Sequence, residues 1–128
     1  MAKKEKEVKK VEPTRTEAVA ITRNISVTPR KMRLVIDLVR GKSLSEAYSI
    51  LENTNKAASD VVLKTIKSAE ANAVNNFKMN PSDLFVSKIF AGDGPRLKRF
   101  LPRAKGSASG LVKRMSMLTV VVGMKGAK

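Results

Sequence analysis

Residues 92–114 read GDGPRLKRFLPRAKGSASGLVKR, and the fold turns on how this stretch is taken. Seven of its side chains are basic (Arg96, Lys98, Arg99, Arg103, Lys105, Lys113, Arg114) and one, Asp93, is acidic. Gly92, Gly94, Gly106 and Gly110, with Pro95 and Pro102, break any helical pattern. β-like runs flank it at 84–91 and 111–122. A structureless loop of about 20 residues is uncommon in a compact domain and is usually functional or disordered. Disorder is the plainer reading, but Leu97, Phe100 and Leu101 suit a purely solvated loop badly. The stretch therefore reads as a long basic finger whose partner is anionic.

The charge around the finger supports an anionic partner. The chain carries 26 Lys and Arg against 11 Asp and Glu, net +15. Residues 1–42 hold 12 basic and 5 acidic side chains, residues 43–87 hold 4 and 5, and residues 88–128 hold 10 and 1. The nets are +7, −1 and +9. A near-neutral middle between two basic ends implies a folded body that presents positive surfaces to a polyanion. At 128 residues and 42% hydrophobic, one domain with a modest core is expected.

N-terminal to the finger, the chain reads as follows. Residues 1–13 are a Lys/Glu-rich tail, expected to be disordered, and 14–128 form a single domain. Val19, Ile21, Ile25 and Val27 alternate in a strand, with an interruption near Arg23-Asn24. Thr28 as N-cap, Pro29 in the first turn and Gly41 past the end bound a first helix. Its apolar stripe is Met32, Val35, Ile36 and Val39. Arg30, Lys31 and Arg33 in its first turn oppose the helix dipole, at a few tenths of a kcal/mol or more each. They are either screened by salt or set to hold a phosphate with the free N–H groups. Ser43-Leu44-Ser45-Glu46 is a capping box that opens a second helix, buried through Leu44, Ala47, Ile50 and Leu51. A third helix, from near 55 to 78, buries Ala58, Val62, Ile66, Ala69, Ala73 and Phe77. Tyr48 suits packing or base stacking. Asn72, Asn75 and Asn76 suit capping or RNA. Asn80-Pro81-Ser82-Asp83 is a turn.

Several function classes fall away. With neither Cys nor His, disulfides, the usual zinc sites and Cys/His catalysis are excluded. The carboxylates are scattered at helix-surface spacing, and the finger glycines lack the strand–glycine–helix context of a phosphate loop. No enzyme, metal, cofactor or small-molecule substrate is expected. No run approaches the ~18 apolar residues of a membrane span, and no secretory h-region opens the chain. A membrane-surface role needs a bulky amphipathic helix, which the proline- and glycine-rich finger cannot form. Only 4% of residues are aromatic, which argues against single-strand base stacking as the main mode. A folded RNA, whose clefts admit a finger, is the partner that fits best, with general nucleic-acid or membrane-surface binding as the runner-up.

Four segments, TPRKMRLVIDLVRGKSLSEAYSIL, KSAEANAVNNF, GPRLKRFLPRAKG and KRMSMLTVVV, stand in that order over residues 16–122. In them the chain resembles the bacterial large-subunit ribosomal protein family numbered twenty-two. The resemblance implies an α+β body of three helices on a three-stranded antiparallel sheet, with one hairpin extended at about 84–122. It implies 23S rRNA, neighbouring large-subunit proteins and the nascent polypeptide as partners, in the cytoplasmic ribosome, with a role in assembly. The rRNA-binding residues expected are Arg15, Arg30, Lys31, Arg33, Lys88, Arg96, Lys98, Arg99, Arg103, Lys105, Lys113 and Arg114. Leu97, Lys98, Arg99, Phe100, Arg103, Ala104, Lys105 and Gly106 would form a tip lining the exit tunnel. Ser107 stands where the family usually has arginine, Gly110 where a larger residue is common, and Met117 where histidine is usual. Nascent-chain sensing that depends on an arginine at 107 is therefore not expected.

Overall fold

The computed structural model describes residues 16–126; the expected disordered tail at 1–13 and the candidate site residue Arg15 lie outside them. The described chain runs β1 (Glu17–Ile25), α1 (Pro29–Val39), α2 (Leu44–Asn53), α3 (Ala57–Phe77), β2 (Leu84–Pro102) and β3 (Ala108–Met124). The strands form one antiparallel sheet in the order β1-β3-β2. Three helices on such a sheet make the α+β architecture that the sequence implies.

Periodicity explains which faces meet. The α1 stripe Met32, Val35, Ile36 and Val39 is fully buried, as are Val62, Ile66, Ala69 and Ala73 of α3. They pack on the inward positions of the strands: Ala18 and Ala20, Leu84, Val86, Ile89 and Ala91, and Leu118, Val120 and Val122. The alanines of α3 let it lie close along β1 and β3. Ser43 caps α2 by accepting from the Glu46 N–H, as the box predicts. Gly41 closes α1 at φ +75°, where a Cβ is strained.

The polar side chains inside the body are mostly structural. The Tyr48 hydroxyl donates to the Glu70 carboxylate and ties α2 to α3. Burial first, and then the Glu70 carboxylate, push its pKa well above the ordinary tyrosine value. Tyr48 is thus a packing residue. Asn72 donates to the Val19 carbonyl at 3.1 Å across the outer edge of β1. At the other sheet edge, Arg33 and Arg40 donate to the Ala91 and Ile89 carbonyls of β2, at 3.4 and 3.1 Å. The α1–α2 linker pairs there too, through Gly41 N–H to Val86 O and Val86 N–H to Lys42 O. These contacts cover the body part of the β2 edge, which removes a template there for pairing with another chain.

The residue pattern alone gives strand-like runs at 84–91 and 111–122, and the resemblance implies a hairpin extended over about 84–122; the structure has the extended hairpin. β2 continues to Pro102 and β3 begins at Ala108; beyond Ala91 the ladder is interrupted only between Asp93 and Arg96, a second irregularity lying within the body between Val86 and Lys88. Pro95 falls in that interruption and Pro102 ends its strand, the two places where a missing N–H costs the ladder least. Gly94 is needed because a Cβ there would meet the Met115 backbone at 3.0 Å. The breaker residues sit where a hairpin tolerates them.

Candidate nucleic-acid interface

The finger is the part of β2 and β3 beyond the body. Residues 92–102 pair with β3 out to Pro102↔Ala108. At about 3.3 Å per residue, this ribbon reaches about 35 Å from the sheet. Its tip is a closed turn: Arg103 N–H bonds to Ser107 O at 2.7 Å, and both the N–H and the hydroxyl of Ser107 donate to Ala104 O. Lys105 and Gly106 take left-handed backbone there, at φ 57° and 69°. Ser107, where an arginine was expected, thus uses its side chain to tie the turn.

Register assigns each finger side chain to a face, because directly opposed residues share one. Arg96 and Arg114, Lys98 and Val112, and Phe100 and Gly110 are opposed on one face. Leu97 and Lys113, Arg99 and Leu111, and Leu101 and Ser109 are opposed on the other. Cations therefore stand on both faces, and Arg103 and Lys105 add two at the tip. All seven are exposed, and among the described residues none is in an ion pair. Arg96 and Arg114 face each other directly, a like-charge pair that destabilises a free ribbon. Phe100 is 83% exposed.

The start of α1 joins this surface. The Arg33 bond to the Ala91 carbonyl fixes the first turns of α1 beside the root of the finger. Arg30 and Lys31 are exposed there. Thr28 stands at the N-cap in extended backbone, but its side chain accepts no N–H, so the first turn keeps free donors. Arg33 is held at the root of the finger, with Arg30 and Lys31 in the first turn of the same helix; Arg96, Lys113 and Arg114 stand on the near part of the ribbon, and Lys98, Arg99, Arg103 and Lys105 lie further out along it. Lys88 is not among them; it lies on the outer sheet face in an ion pair with Glu17 at 3.6 Å. Sequence reading missed Arg40 and the close packing that Gly94 allows, which depend on partners far along the chain.

Comparisons with known proteins identify the family. Residues 20–123 match the family described as ribosomal protein L22p/L17e. The chain is 54% identical over 110 residues to large ribosomal subunit protein uL22 of Pediococcus pentosaceus, covering 86% of this chain and 93% of that protein. It is 53% identical to uL22 of Staphylococcus aureus strain JH9, over 83% of this chain and 91% of that protein. Latilactobacillus sakei uL22 is 54% identical, over 88% and 96%. With a match across nearly all of the described body and finger, this chain belongs to the ribosomal protein L22p/L17e family.

Proposed function

We propose that the chain is a structural constituent of the large ribosomal subunit. It binds 23S rRNA through the α1 start and the finger, supports subunit assembly, and lines the nascent-peptide exit tunnel with the finger tip. Family membership makes the role ribosomal and non-enzymatic. The observation that carries the mode of binding is the placement of cations on both faces of a two-stranded ribbon, with Arg96 opposite Arg114. A membrane surface or a straight duplex touches a rod along one side and leaves the other face's cations in water. A cleft in folded RNA surrounds the rod and neutralises both.

The contacts divide by chemistry. Arg30 and Lys31, with the free N–H groups of α1, hold phosphates at the finger root. Arg96, Lys98, Arg99, Lys113 and Arg114 hold phosphates along the ribbon, and Arg15 adds a contact from the N-terminal side. Lys88 contributes only if rRNA displaces Glu17. At the tip, Arg103, Ala104, Lys105 and Gly106, with Leu97, Lys98, Arg99 and Phe100 behind them, meet the tunnel wall and the nascent polypeptide. Neighbouring subunit proteins complete the surroundings.

Sedimentation of large subunits through a high-salt cushion tests this reading. About six independent phosphate contacts would lose roughly a thousandfold or more in affinity between 50 and 200 mM salt. A chain interlocked with rRNA stays in the subunit pellet after the wash. Its quantitative release into the supernatant would sink the proposal.

A further inference from the structure

We propose that a cleft between the β1 bulge and α3 is a further phosphodiester site, in which Arg23 and Lys64 grip the rRNA backbone. This rests on the ribosomal reading above, and neither residue belongs to the site set drawn from the sequence. The cleft is lined by residues 22–26 and by Val61, Lys64 and Thr65. It exists because β1 carries an extra residue: Thr22 pairs with Leu118, but Ile25 pairs with Ser116. That bulge returns Ile25 to the core at 5% exposure and leaves Arg23 and Asn24 both outside it. Asn24 takes left-handed backbone at φ 56° to make the bend. Bulges re-aim side chains, and this one brings Arg23 into the same concavity as Lys64 instead of leaving it over the outer sheet face.

The donors in the cleft are uncommitted. On its floor, Thr22 donates to Thr65, whose hydroxyl donates in turn to Val61 O, both at 2.8 Å, so these hydroxyls are satisfied. The side chains of Arg23, Asn24, Lys64 and Ser26 make no hydrogen bond or ion pair to another described residue. Asp60 lies one turn before Lys64 but forms no ion pair with it. Two cations line one concavity with no ion-pair partner among the described residues, which suits it to an anion. Position favours RNA over an acidic peptide as its source. Only residues 26–29 separate the end of β1 from Arg30 and Lys31, and Ile25 shares Ser116 as a ladder partner with Asp93 at the finger root. The cleft thus lies beside the basic start of α1 and the finger root, within reach of one phosphate backbone that binds there.

The test uses the full chain with Arg23→Ala and Lys64→Ala combined, measured by filter binding to a transcript of large-subunit rRNA between 50 and 200 mM salt. Loss of two phosphate contacts lowers the slope of log affinity against log salt by about 1.4 to 1.8. Restoring charge with Arg23→Lys in the Lys64→Arg background returns most of that slope, and Lys64 is protected from acetylation in the complex. A double variant that folds like the parent and keeps its slope would overturn the site while leaving the ribosomal reading intact. Failure of the unaltered chain to bind the transcript would overturn both. Loss of polyglutamate binding with rRNA binding unchanged would assign the cleft to an acidic peptide and overturn the proposal.

Discussion

The same two strands build both halves of this molecule, and the halves obey different rules. Within the body, alternate residues of β2 and β3 are buried against helices: Leu84, Val86, Ile89 and Ala91, and Leu118, Val120 and Val122. Beyond Gly92, no residue of either strand is buried until Ser116 on the return. The body owes its stability to apolar burial on one sheet face. The finger has only its ladder and cross-strand pairs, and a lone two-stranded hairpin is at best marginally stable in water. A long ribbon of that kind, with its charges unpaired, is built for a surface it does not carry itself.

The sharpest way to break this contrast is to cut matching amounts of apolar surface from each half. Ile66→Ala, at a site with no exposure, should cost the body about 2–5 kcal/mol in denaturant unfolding. Phe100→Ala, at 83% exposure, should change it by less than about 0.5 kcal/mol. Equal losses would mean the finger is part of the cooperative core.

Gly94→Ala probes the junction. Its Cβ would press on the Met115 backbone at 3.0 Å, an overpacking that costs about 1–3 kcal/mol. The damage should stay local. Hydrogen exchange should speed up for finger amides beyond Arg96 while the body amides stay protected.

Arg96→Glu sharpens the contrast by giving opposite signs. Exchanging the like-charge pair with Arg114 for an opposite-charge one should steady the free ribbon by a few tenths to about 1 kcal/mol. It should weaken binding to large-subunit rRNA and reduce its salt slope. Amide exchange reads the first effect and filter binding the second.

The smallest effect belongs to Tyr48. Its folded-state pKa is raised, so the stabilisation from the neutral hydroxyl is complete below about pH 10, the ordinary tyrosine value. It is lost as the pH climbs from there through the raised folded value. Tyr48→Phe should cost about 1 kcal/mol at neutral pH and flatten that alkaline loss, as followed by unfolding at pH 8 to 11.

Much of the body was legible because its signals are local. The stripe Met32, Val35, Ile36 and Val39, the Ser43 cap and the stop at Gly41 each depend on residues within a turn or two. The finger's charge was equally plain. Its ladder was not, since whether Pro95 and Gly94 break a strand depends on the Met115 backbone some twenty residues later. Arg33 and Arg40 look like surface charges until β2 arrives beside them, and Lys88 looks free until Glu17 does. The Arg23-Asn24 interruption was visible in the alternation of β1. That it faces Lys64 is a tertiary fact, which no spacing rule contains.

Amide hydrogen exchange on the finger, measured in the free chain and again in purified large subunits, tests the central claim most directly. The account predicts that amides of 96–102 and 108–114 exchange quickly in the free chain, while those of Val120 and Val122 stay protected, and that the finger becomes protected in the subunit. Finger amides as slow as the body's in the free chain, with no change in the subunit, would contradict it.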